Sequence, residues 1–175
     1  MRDAAPPALV VMGVSGSGKS HVGAALAAAL GAHFLDADDL HPKANLHKMA
    51  AGVPLDDRDR MPWLDAVAAW IAACQAGGET GVVACSALRR SYRDRLRAGA
   101  PDLGFVHLAV PRDELARRMH QRRHFMPPSL LDSQLATLEP PAADEDACTL
   151  DGTRPMDENI ARVRAWLSTR ATAKG

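Results

Sequence analysis

One short segment of the chain combines residue types that bind phosphate. It runs from Gly13 to Ser20, fits the pattern GxxxxGK[ST], and stands between an apolar run and an Ala/Leu-rich stretch. Glycines let backbone N–H groups approach phosphate oxygens closely, and the start of a helix adds a partial positive charge. The segment therefore predicts a phosphate-binding loop for a nucleoside triphosphate, ATP, made of Gly13, Val14, Ser15, Gly16, Ser17, Gly18, Lys19 and Ser20.

Two residues of this loop have chemical roles beyond its shape. The Lys19 ammonium is expected to reach the β- and γ-phosphates, where negative charge is concentrated. The Ser20 hydroxyl is expected to take one coordination position of Mg²⁺.

Carboxylates follow the second apolar run of the chain, at Asp36 and Asp38. The carboxyl ends of parallel strands open onto the same crevice as a phosphate loop, so both side chains are expected there. One would hold Mg²⁺ through water and the other would accept the proton of a substrate hydroxyl. We predict both as catalytic residues, with Asp36 at the metal, and we assign the neighbouring Asp39 to capping the next turn.

Arginines form the second group that could act on phosphate. Four of them precede a segment, 124–141, that is bracketed by proline pairs and predicts a lid over about 122–141. Arginines on a closing lid stabilise the charge of a transferring phosphoryl group, whereas the alternative is a solvated helix face. The cluster consists of Arg117, Arg118, Arg122 and Arg123, with Arg122 as the predicted catalytic arginine; Arg58, Arg60, Arg89 and Arg90 are candidate forks for a substrate carboxylate.

The phosphate-binding and acidic residues follow apolar runs, which are candidate strands of a sheet. These runs alternate with helical patterns along the whole chain. This alternation predicts an α/β fold: a three-layer α/β/α sandwich with a five-stranded parallel sheet, in a single domain over 1–175. The predicted strands are Ala8–Gly13, His33–Asp36, Gly81–Cys85, Gly104–Ala109 and Ala147–Asp151.

The predicted helices are bounded by glycine and proline. A charged turn is expected over Asp56–Arg60, before a long helix whose first turn contains Pro62. The helices are predicted at Ser20–Leu30, Asn45–Ala51, Pro62–Ala76, Arg89–Arg97, Asp113–Arg122 and Met156–Thr169.

Composition excludes several classes of protein. The chain has 175 residues, with 21 Lys and Arg against 21 Asp and Glu, and only 4% of its residues are aromatic. Zero formal net charge and few aromatic rings argue against nucleic-acid binding. No apolar run approaches the length of a membrane span. Three scattered cysteines, without a CxxC pair, indicate reduced thiols and a cytoplasmic location.

The phosphate loop occurs in several classes of protein, and the rest of the chain separates them. The NKxD motif of GTPases is absent, and the third predicted strand ends in Cys85-Ser86 rather than in the acidic pair of motor-type ATPases. The acids follow the second strand instead. This arrangement favours a kinase of a small substrate.

Four segments in order along the chain closely resemble the gluconokinase family. They are MGVSGSGKS, FLDADDLHPKANLHKMAAGVPLDDRDRMPWL, CSALRRSYRDRLR and HFMPPSLLDSQLATLEPP. The resemblance implies transfer of the ATP γ-phosphate to the 6-hydroxyl of D-gluconate. It also implies a fold like that of shikimate and nucleoside monophosphate kinases, a requirement for Mg²⁺, a helical lid and a homodimer.

An acidic sugar needs partners for one carboxylate and a row of hydroxyls. The segment at about 38–62 is expected to cover such a substrate. The residues expected to bind it are Asp38, His41, Arg60, Ser86 and Arg89.

Two other functions remain open at this point. The first is a kinase of another small hydroxy acid such as shikimate, although CSALRR replaces the glycine triplet of shikimate kinases. The second is a regulatory ATPase with no small substrate, in which the segment DADDLHPKANLHKM would have no role.

Overall fold

The apolar runs form one parallel sheet in the computed structural model, which describes residues 7–121 and 128–173. The strand order is β2-β3-β1-β4-β5, and every neighbouring pair is parallel. The prediction of a five-stranded parallel sheet is confirmed. The strands are β1 Ala8–Met12, β2 His33–Asp36, β3 Gly81–Ala84, β4 Gly104–Ala109 and β5 Ala147–Asp151.

The register brings the carboxyl ends of three strands to one edge of the sheet. Asp36 at the end of β2 lies opposite Ala84 of β3, and Ala84 lies opposite Val11 of β1. The loops that leave these strands therefore meet at the same edge, which is where ligands bind in sheets of this kind.

Helices connect consecutive strands and cover both faces of the sheet. A short 3₁₀ helix, Ala37–Leu40, follows β2 directly. The α-helices are α1 Lys19–Leu30, α2 Lys43–Ala50, α3 Asp57–Ala76, α4 Arg90–Ala98, α5 Arg112–Gln121, α6 Pro128–Thr137 and α7 Met156–Ala173.

The prediction of a turn over Asp56–Arg60 is wrong, because these residues start α3. Asp56 is the N-cap and accepts from the Asp59 N–H at 2.9 Å, while the Asp59 side chain accepts from the Asp56 N–H at 3.0 Å. This reciprocal capping box stabilises the first turn. Acidic residues suit a helix N-terminus as well as they suit a turn, so α3 begins five residues before Pro62.

Two apolar layers pack against the opposite faces of the sheet. On one face α3 and α4 bury Trp63 and Tyr92 against Val10 and Phe105. On the other face α1 and α7 pack against alternate residues of the same strands. The three-layer arrangement that the alternation of elements predicts is therefore present.

A third, smaller apolar cluster lies at the carboxyl edge of the sheet. Val14, Leu88, Leu115 and Leu131 are buried together there. They belong to the phosphate loop, the loop after β3, α5 and α6, so this cluster joins the elements that surround the cleft described below. Of the predicted lid, 122–141, residues 122–127 lie outside the described part of the chain.

In residues 7–121 and 128–173, no helix combines the length and the apolar character that crossing a membrane requires. Cys74, Cys85 and Cys148 are free thiols. Burial raises the pKa of the Cys85 thiol to about 12, so it stays protonated.

Candidate functional site

The phosphate loop follows β1 along a backbone path that needs glycine. Gly13 has a φ of 153° and Gly18 has a φ of 91°, conformations that side chains disfavour. A Cβ at Gly13 would also lie 2.8 Å from the Ser17 hydroxyl oxygen. The Gly13 N–H donates to the Ser86 carbonyl oxygen at 3.3 Å, which ties the loop to the end of β3. Helix α1 begins at Lys19, so the last two residues of the loop, Lys19 and Ser20, form its first turn.

Two side chains from other helices hold the loop. Arg118 on α5 donates to the carbonyl oxygens of Gly16, at 3.1 Å, and Ser17, at 3.3 Å. On α6, the Gln134 Oε1 atom accepts from the Ser15 N–H at 2.7 Å, and its Nε2 donates to the Ser15 hydroxyl at 3.2 Å. The path of the loop is thus fixed by contacts within the protein.

Asp36 lies beside the last residue of the loop. The Ser20 hydroxyl donates to Asp36 Oδ2 at 2.6 Å, and Asp36 Oδ1 accepts from the Asp38 N–H at 3.0 Å. The second bond makes Asp36 the N-cap of the 3₁₀ helix. The ends of β1 and β2 therefore bring Ser20 and Asp36 into direct contact.

The Ser20 and Asp36 oxygens fit the chemistry of magnesium. Mg²⁺ prefers oxygen ligands and often takes only one or two from the protein, with water and substrate phosphates completing its shell. Within residues 7–121 and 128–173, no group of three or more His, Cys, Asp or Glu side chains could hold a metal. A magnesium ion held by Ser20 and Asp36 would take its other ligands from water and phosphate oxygens.

His41 lies beside Asp38, just past the 3₁₀ helix. His41 Nε2 is 3.8 Å from Asp38 Oδ1, and the His41 side chain is 3% exposed. Its ring stacks on Trp63 with a centroid separation of 4.1 Å, and the Trp63 indole N–H donates to the Ala37 carbonyl oxygen at 2.7 Å. Burial lowers the pKa of His41; the Asp38 charge opposes this shift, and the Arg60 charge adds to it.

Arg60 is held by a chain of hydrogen bonds between α3 and α4. Its Nη1 donates to the Tyr92 hydroxyl at 2.8 Å, and that hydroxyl donates to Asp57 Oδ1 at 2.6 Å. The Arg60 guanidinium carbon also lies 5.3 Å from the centre of the Tyr92 ring. Since a guanidinium has five N–H donors, most of them remain for a carboxylate in the cleft.

One cleft contains the predicted phosphate and substrate groups together. Lys19 and Ser86 line it from the strand ends, and Asp38, His41 and Arg60 line it from the segment after β2. Among the lining residues are one ammonium, one carboxylate and one guanidinium, which suits a substrate with an anionic end and hydroxyl groups.

The predicted covering segment, 38–62, includes α2 and the start of α3. Lys48 on α2 forms an ion pair with Asp59 on α3, at 2.8 Å between Nζ and Oδ2. Met49 and Val53 line the cleft from this segment. The ion pair connects the cover to the helix that carries Arg60.

The loop after β3 contains a strained residue that the sequence does not reveal. Ala87 has a φ of 45° and is the one non-glycine residue with a positive φ in the described chain. The buried Arg93 donates from Nη1 to the carbonyl oxygens of Ala87, at 2.9 Å, and Leu88, at 3.3 Å. Arg93 in turn pairs with Glu145 at 2.7 Å, both side chains being at most 1% exposed. This pair anchors the turn beside Ser86.

The charge of Glu145 is stabilised strongly. Burial alone would raise the pKa of this carboxyl, but hydrogen bonds from Arg93 and Arg97 outweigh burial and bring the pKa to about 2. Arg97 Nη2 donates to Glu145 Oε1 at 2.7 Å. The carboxylate therefore stays ionised over the physiological range of pH.

A second cleft, which was not predicted from the sequence, lies beside the phosphate loop. It is lined by Gly16 and Gly18 of the loop and by Gly152 and Arg154 after β5. Arg118 bridges the two sides, since its Nη2 donates to the Gly152 carbonyl oxygen at 2.9 Å. The position of Gly152 after a strand end is the signal that could have indicated this cleft.

Other predicted arginines lie apart from the first cleft. Arg89 is exposed at the N-cap of α4 and does not line the cleft. Arg90 and Arg117 form ion pairs with acidic neighbours near the surface. Arg58 is exposed. Arg122 and Arg123 lie outside the described residues.

Comparison with known proteins identifies the family. The model of the AAA domain family matches residues 9–141. A gluconokinase from Gluconobacter oxydans (strain 621H) is 49% identical over 153 residues, which covers 87% of this chain and 86% of that protein. The crystal structure of a gluconokinase from Sinorhizobium meliloti 1021 matches with a TM-score of 0.87 and 47% identity, covering 98% of this chain and 97% of that chain.

A more distant structure shares the fold alone. Shikimate kinase from Aquifex aeolicus vf5 matches with a TM-score of 0.58 at 16% identity, covering 96% of this chain and 99% of that chain. The expected likeness to this type of kinase fold is confirmed. The identity to gluconokinases, in contrast, extends over most of both chains, and the protein belongs to the gluconokinase family.

Proposed function

We propose that the protein transfers the γ-phosphate of ATP to the 6-hydroxyl of D-gluconate, giving 6-phospho-D-gluconate and ADP. The single observation that carries this proposal is that Lys19 and Asp38 line one cleft. The gluconokinases at 49% and 47% identity support the choice of gluconate as substrate.

The transfer needs a nucleophile, a proton acceptor and stabilisation of charge. The 6-hydroxyl oxygen attacks the γ-phosphorus, the bond from that phosphorus to the β–γ bridging oxygen breaks, and ADP leaves with the electron pair. The hydroxyl proton passes to the Asp38 carboxylate, and Lys19 stabilises the charge on the phosphate oxygens. Most of the rate acceleration is expected from positioning and electrostatics, because the transition state is loose.

The carboxylate end of gluconate is assigned to Arg60. Its guanidinium is held at Tyr92, and a planar fork of donors suits a carboxylate. His41 and Ser86 supply polar groups for the sugar hydroxyls. Arg89 is retained as a candidate that would have to reach the substrate from its exposed position.

The nucleotide is assigned to the phosphate loop and to the second cleft beside it. The triphosphate lies on the loop, and the base and ribose occupy the space between the loop and Gly152. Ser20 and Asp36 would hold Mg²⁺, which would neutralise phosphate charge. Arg122 is proposed as a charge-stabilising arginine of the lid at about 122–141.

Release of ADP from MgATP, measured with and without D-gluconate, tests the function. A gluconate kinase should respond steeply to D-gluconate and weakly to shikimate or to other sugar acids. A regulatory ATPase would release ADP at the same rate with and without each acid. Product analysis for phosphate at the 6-position completes the test.

The proposal includes a single domain, a homodimer and a cytoplasmic location. The family resemblance supports the homodimer, and light scattering of the purified protein tests it. The three free cysteines support a reducing compartment, and cell fractionation tests that location.

A further inference from the structure

Asn45, on α2, is a buried amide whose two contacts define its orientation. The residue is 3% exposed. Its Nδ2 donates to the backbone carbonyl oxygen of Asp59 at 2.9 Å, and the same nitrogen lies 3.2 Å from His41 Nδ1. Because a carbonyl oxygen can only accept, the amide nitrogen and not the amide oxygen must face both partners.

This orientation leaves one protonation state for His41. An amide NH₂ group only donates, so Nδ1 of His41 must accept with its lone pair. The ring proton is then on Nε2, and the ring is neutral, since the imidazolium carries a proton on both nitrogens. Burial of the ring, which lowers the pKa of His41, favours the same state.

The ring is also fixed in position, and its Nε2 lies near the proposed proton acceptor. Stacking on Trp63 at 4.1 Å, with an interplanar angle of 15°, fixes the ring plane. The 3.8 Å between Nε2 and Asp38 Oδ1 is too long for a direct hydrogen bond. A hydroxyl oxygen about 2.8 Å from each atom would accept from Nε2–H and donate to Asp38.

We infer that Asn45 is a positioning residue that fixes His41 as the Nε2–H tautomer, so that His41 donates to a substrate hydroxyl that in turn donates to Asp38. The identity of that substrate rests on the proposed function, whereas the tautomer is a property of the protein alone. A purely structural Asn45, which only ties α2 to α3 through Asp59, would leave the tautomer free.

The substitution N45D separates the two roles. Aspartate has nearly the same shape but only accepts, so Nδ1 of His41 would take up a proton to donate to it. The charged side chains that face His41 are Asp38 and Arg60, and both are retained in the variant. The added carboxylate should therefore raise the pKa of His41 and, above that pKa, leave the ring with its proton on Nδ1.

Long-range ¹H–¹⁵N spectra of the histidine rings, recorded without substrate, measure the tautomer directly. In the wild-type protein at pH 7.5, His41 should show an unprotonated Nδ1 and a protonated Nε2. In N45D, Nδ1 should become protonated, while the buried His107 keeps its wild-type pattern as an internal control. A wild-type His41 with a proton on Nδ1, or an unchanged pattern in a folded N45D protein, would overturn the inference.

Two substitutions of His41 test the same point by activity and remain informative if N45D does not fold. Glutamine places its amide nitrogen near the position of Nε2, whereas asparagine places it near Nδ1. H41Q should therefore keep a KM for gluconate up to about tenfold lower than that of H41N, because only H41Q keeps the hydrogen bond from the position of Nε2. H47Q, on the exposed neighbour His47, serves as the matched control. Equal KM values for H41Q and H41N would contradict the inference.

The pH dependence of the KM for gluconate in N45D gives a further test, in which the direction of the change is predicted. Below the raised pKa the imidazolium still donates from Nε2, but above it this donor is lost. The KM for gluconate of N45D should therefore rise with pH, while that of the wild-type protein stays flat through the neutral range. If the wild-type protein shows no activity on gluconate, the proposed function fails, and the ring spectra still decide the tautomer.

Discussion

The phosphate end of the cleft, where the triphosphate is proposed to bind, is shaped by the backbone and carries the Lys19 ammonium. The acid end, where gluconate is proposed to bind, is formed by side chains from several elements. At the phosphate end, the shape comes from consecutive residues with glycine at the positions of positive φ. At the acid end, Arg60 is held by Tyr92, 32 residues along the chain, and the turn beside Ser86 depends on Glu145, which is 52 residues from Arg93.

This difference in construction predicts that the two ends of the cleft differ in how well they tolerate substitutions. A backbone site depends on conformations that few residues adopt, so single changes should abolish its function. A side-chain site loses one hydrogen bond at a time, and each loss changes affinity by a limited factor. The acid end can therefore be adjusted for another substrate while the phosphate end stays the same. Four changes test this contrast.

Lys19→Ala should have the largest effect, because it removes the ammonium from the phosphate end. We expect kcat to fall about 10⁴-fold, as is typical when one charged group is lost from phosphoryl transfer. Steady-state release of ADP measures the effect. The matched control is Lys43→Ala, on an exposed lysine at the start of α2, which should keep wild-type activity. A Lys19→Ala protein with more than a tenth of wild-type kcat would contradict the role of Lys19.

Asp38→Asn should lower kcat about 10³-fold with little change in the KM for ATP, since the proton acceptor is lost and the nucleotide contacts remain. Single-turnover kinetics with saturating gluconate measure the chemical step. Asp39→Asn, on the exposed neighbouring carboxylate, is the control and should be active. An unchanged kcat in Asp38→Asn would remove this residue from the reaction.

Glu145→Gln should destabilise the protein by about 3 kcal/mol, because Arg93 is left buried with an unpaired charge. The folded pKa of Glu145, about 2, lies below its ordinary value of 4.5. Its contribution is therefore present above about pH 4.5 and is lost as the pH falls toward 2. Urea unfolding across this range should show the loss in the wild-type protein and not in the variant.

The control for Glu145→Gln is Asp144→Asn, on a neighbouring carboxylate that pairs with Arg90 at the surface. Exposed pairs contribute about 0–1 kcal/mol, so this variant should unfold at nearly the wild-type urea concentration. If both variants unfold alike, the turn beside Ser86 does not depend on the buried pair.

Tyr92→Phe should have the smallest effect, because it removes one hydroxyl that holds Arg60. We expect the KM for gluconate to rise about tenfold, with a KM for ATP within about twofold of the wild-type value. Steady-state kinetics with each substrate varied in turn measure both. Equal changes in the two KM values would show that the two ends of the cleft are not built independently.

The same contrast explains what could be predicted from the sequence. The bounds of β2, β4 and β5 were predicted correctly, because each is an apolar run with clear limits. The phosphate loop was recognisable, because its function lies in consecutive residues. Lys19 and Asp38 could be assigned to one cleft, because strand ends of a parallel sheet share an edge.

The remaining features depend on contacts between distant residues. Arg93 and Arg118 belong to helices with many arginines, and nothing local distinguishes them from the exposed Arg95. Arg93 is buried because it pairs with Glu145. Arg118 is half-buried and donates to carbonyl groups of the phosphate loop. Asn45 contacts His41 and Asp59 only because α2 packs beside α3. Such roles follow from the tertiary fold.

The chain has a single tyrosine, Tyr92. Its ring and its hydroxyl both contact the Arg60 guanidinium. Its ring resonances therefore need no assignment by mutagenesis, because no second tyrosine overlaps with them. A carboxylate that binds the guanidinium beside the phenol should shift these signals, whereas a nucleotide on the glycine loop should not. Binding of the acid can thus be titrated separately from binding of the nucleotide, without an added label.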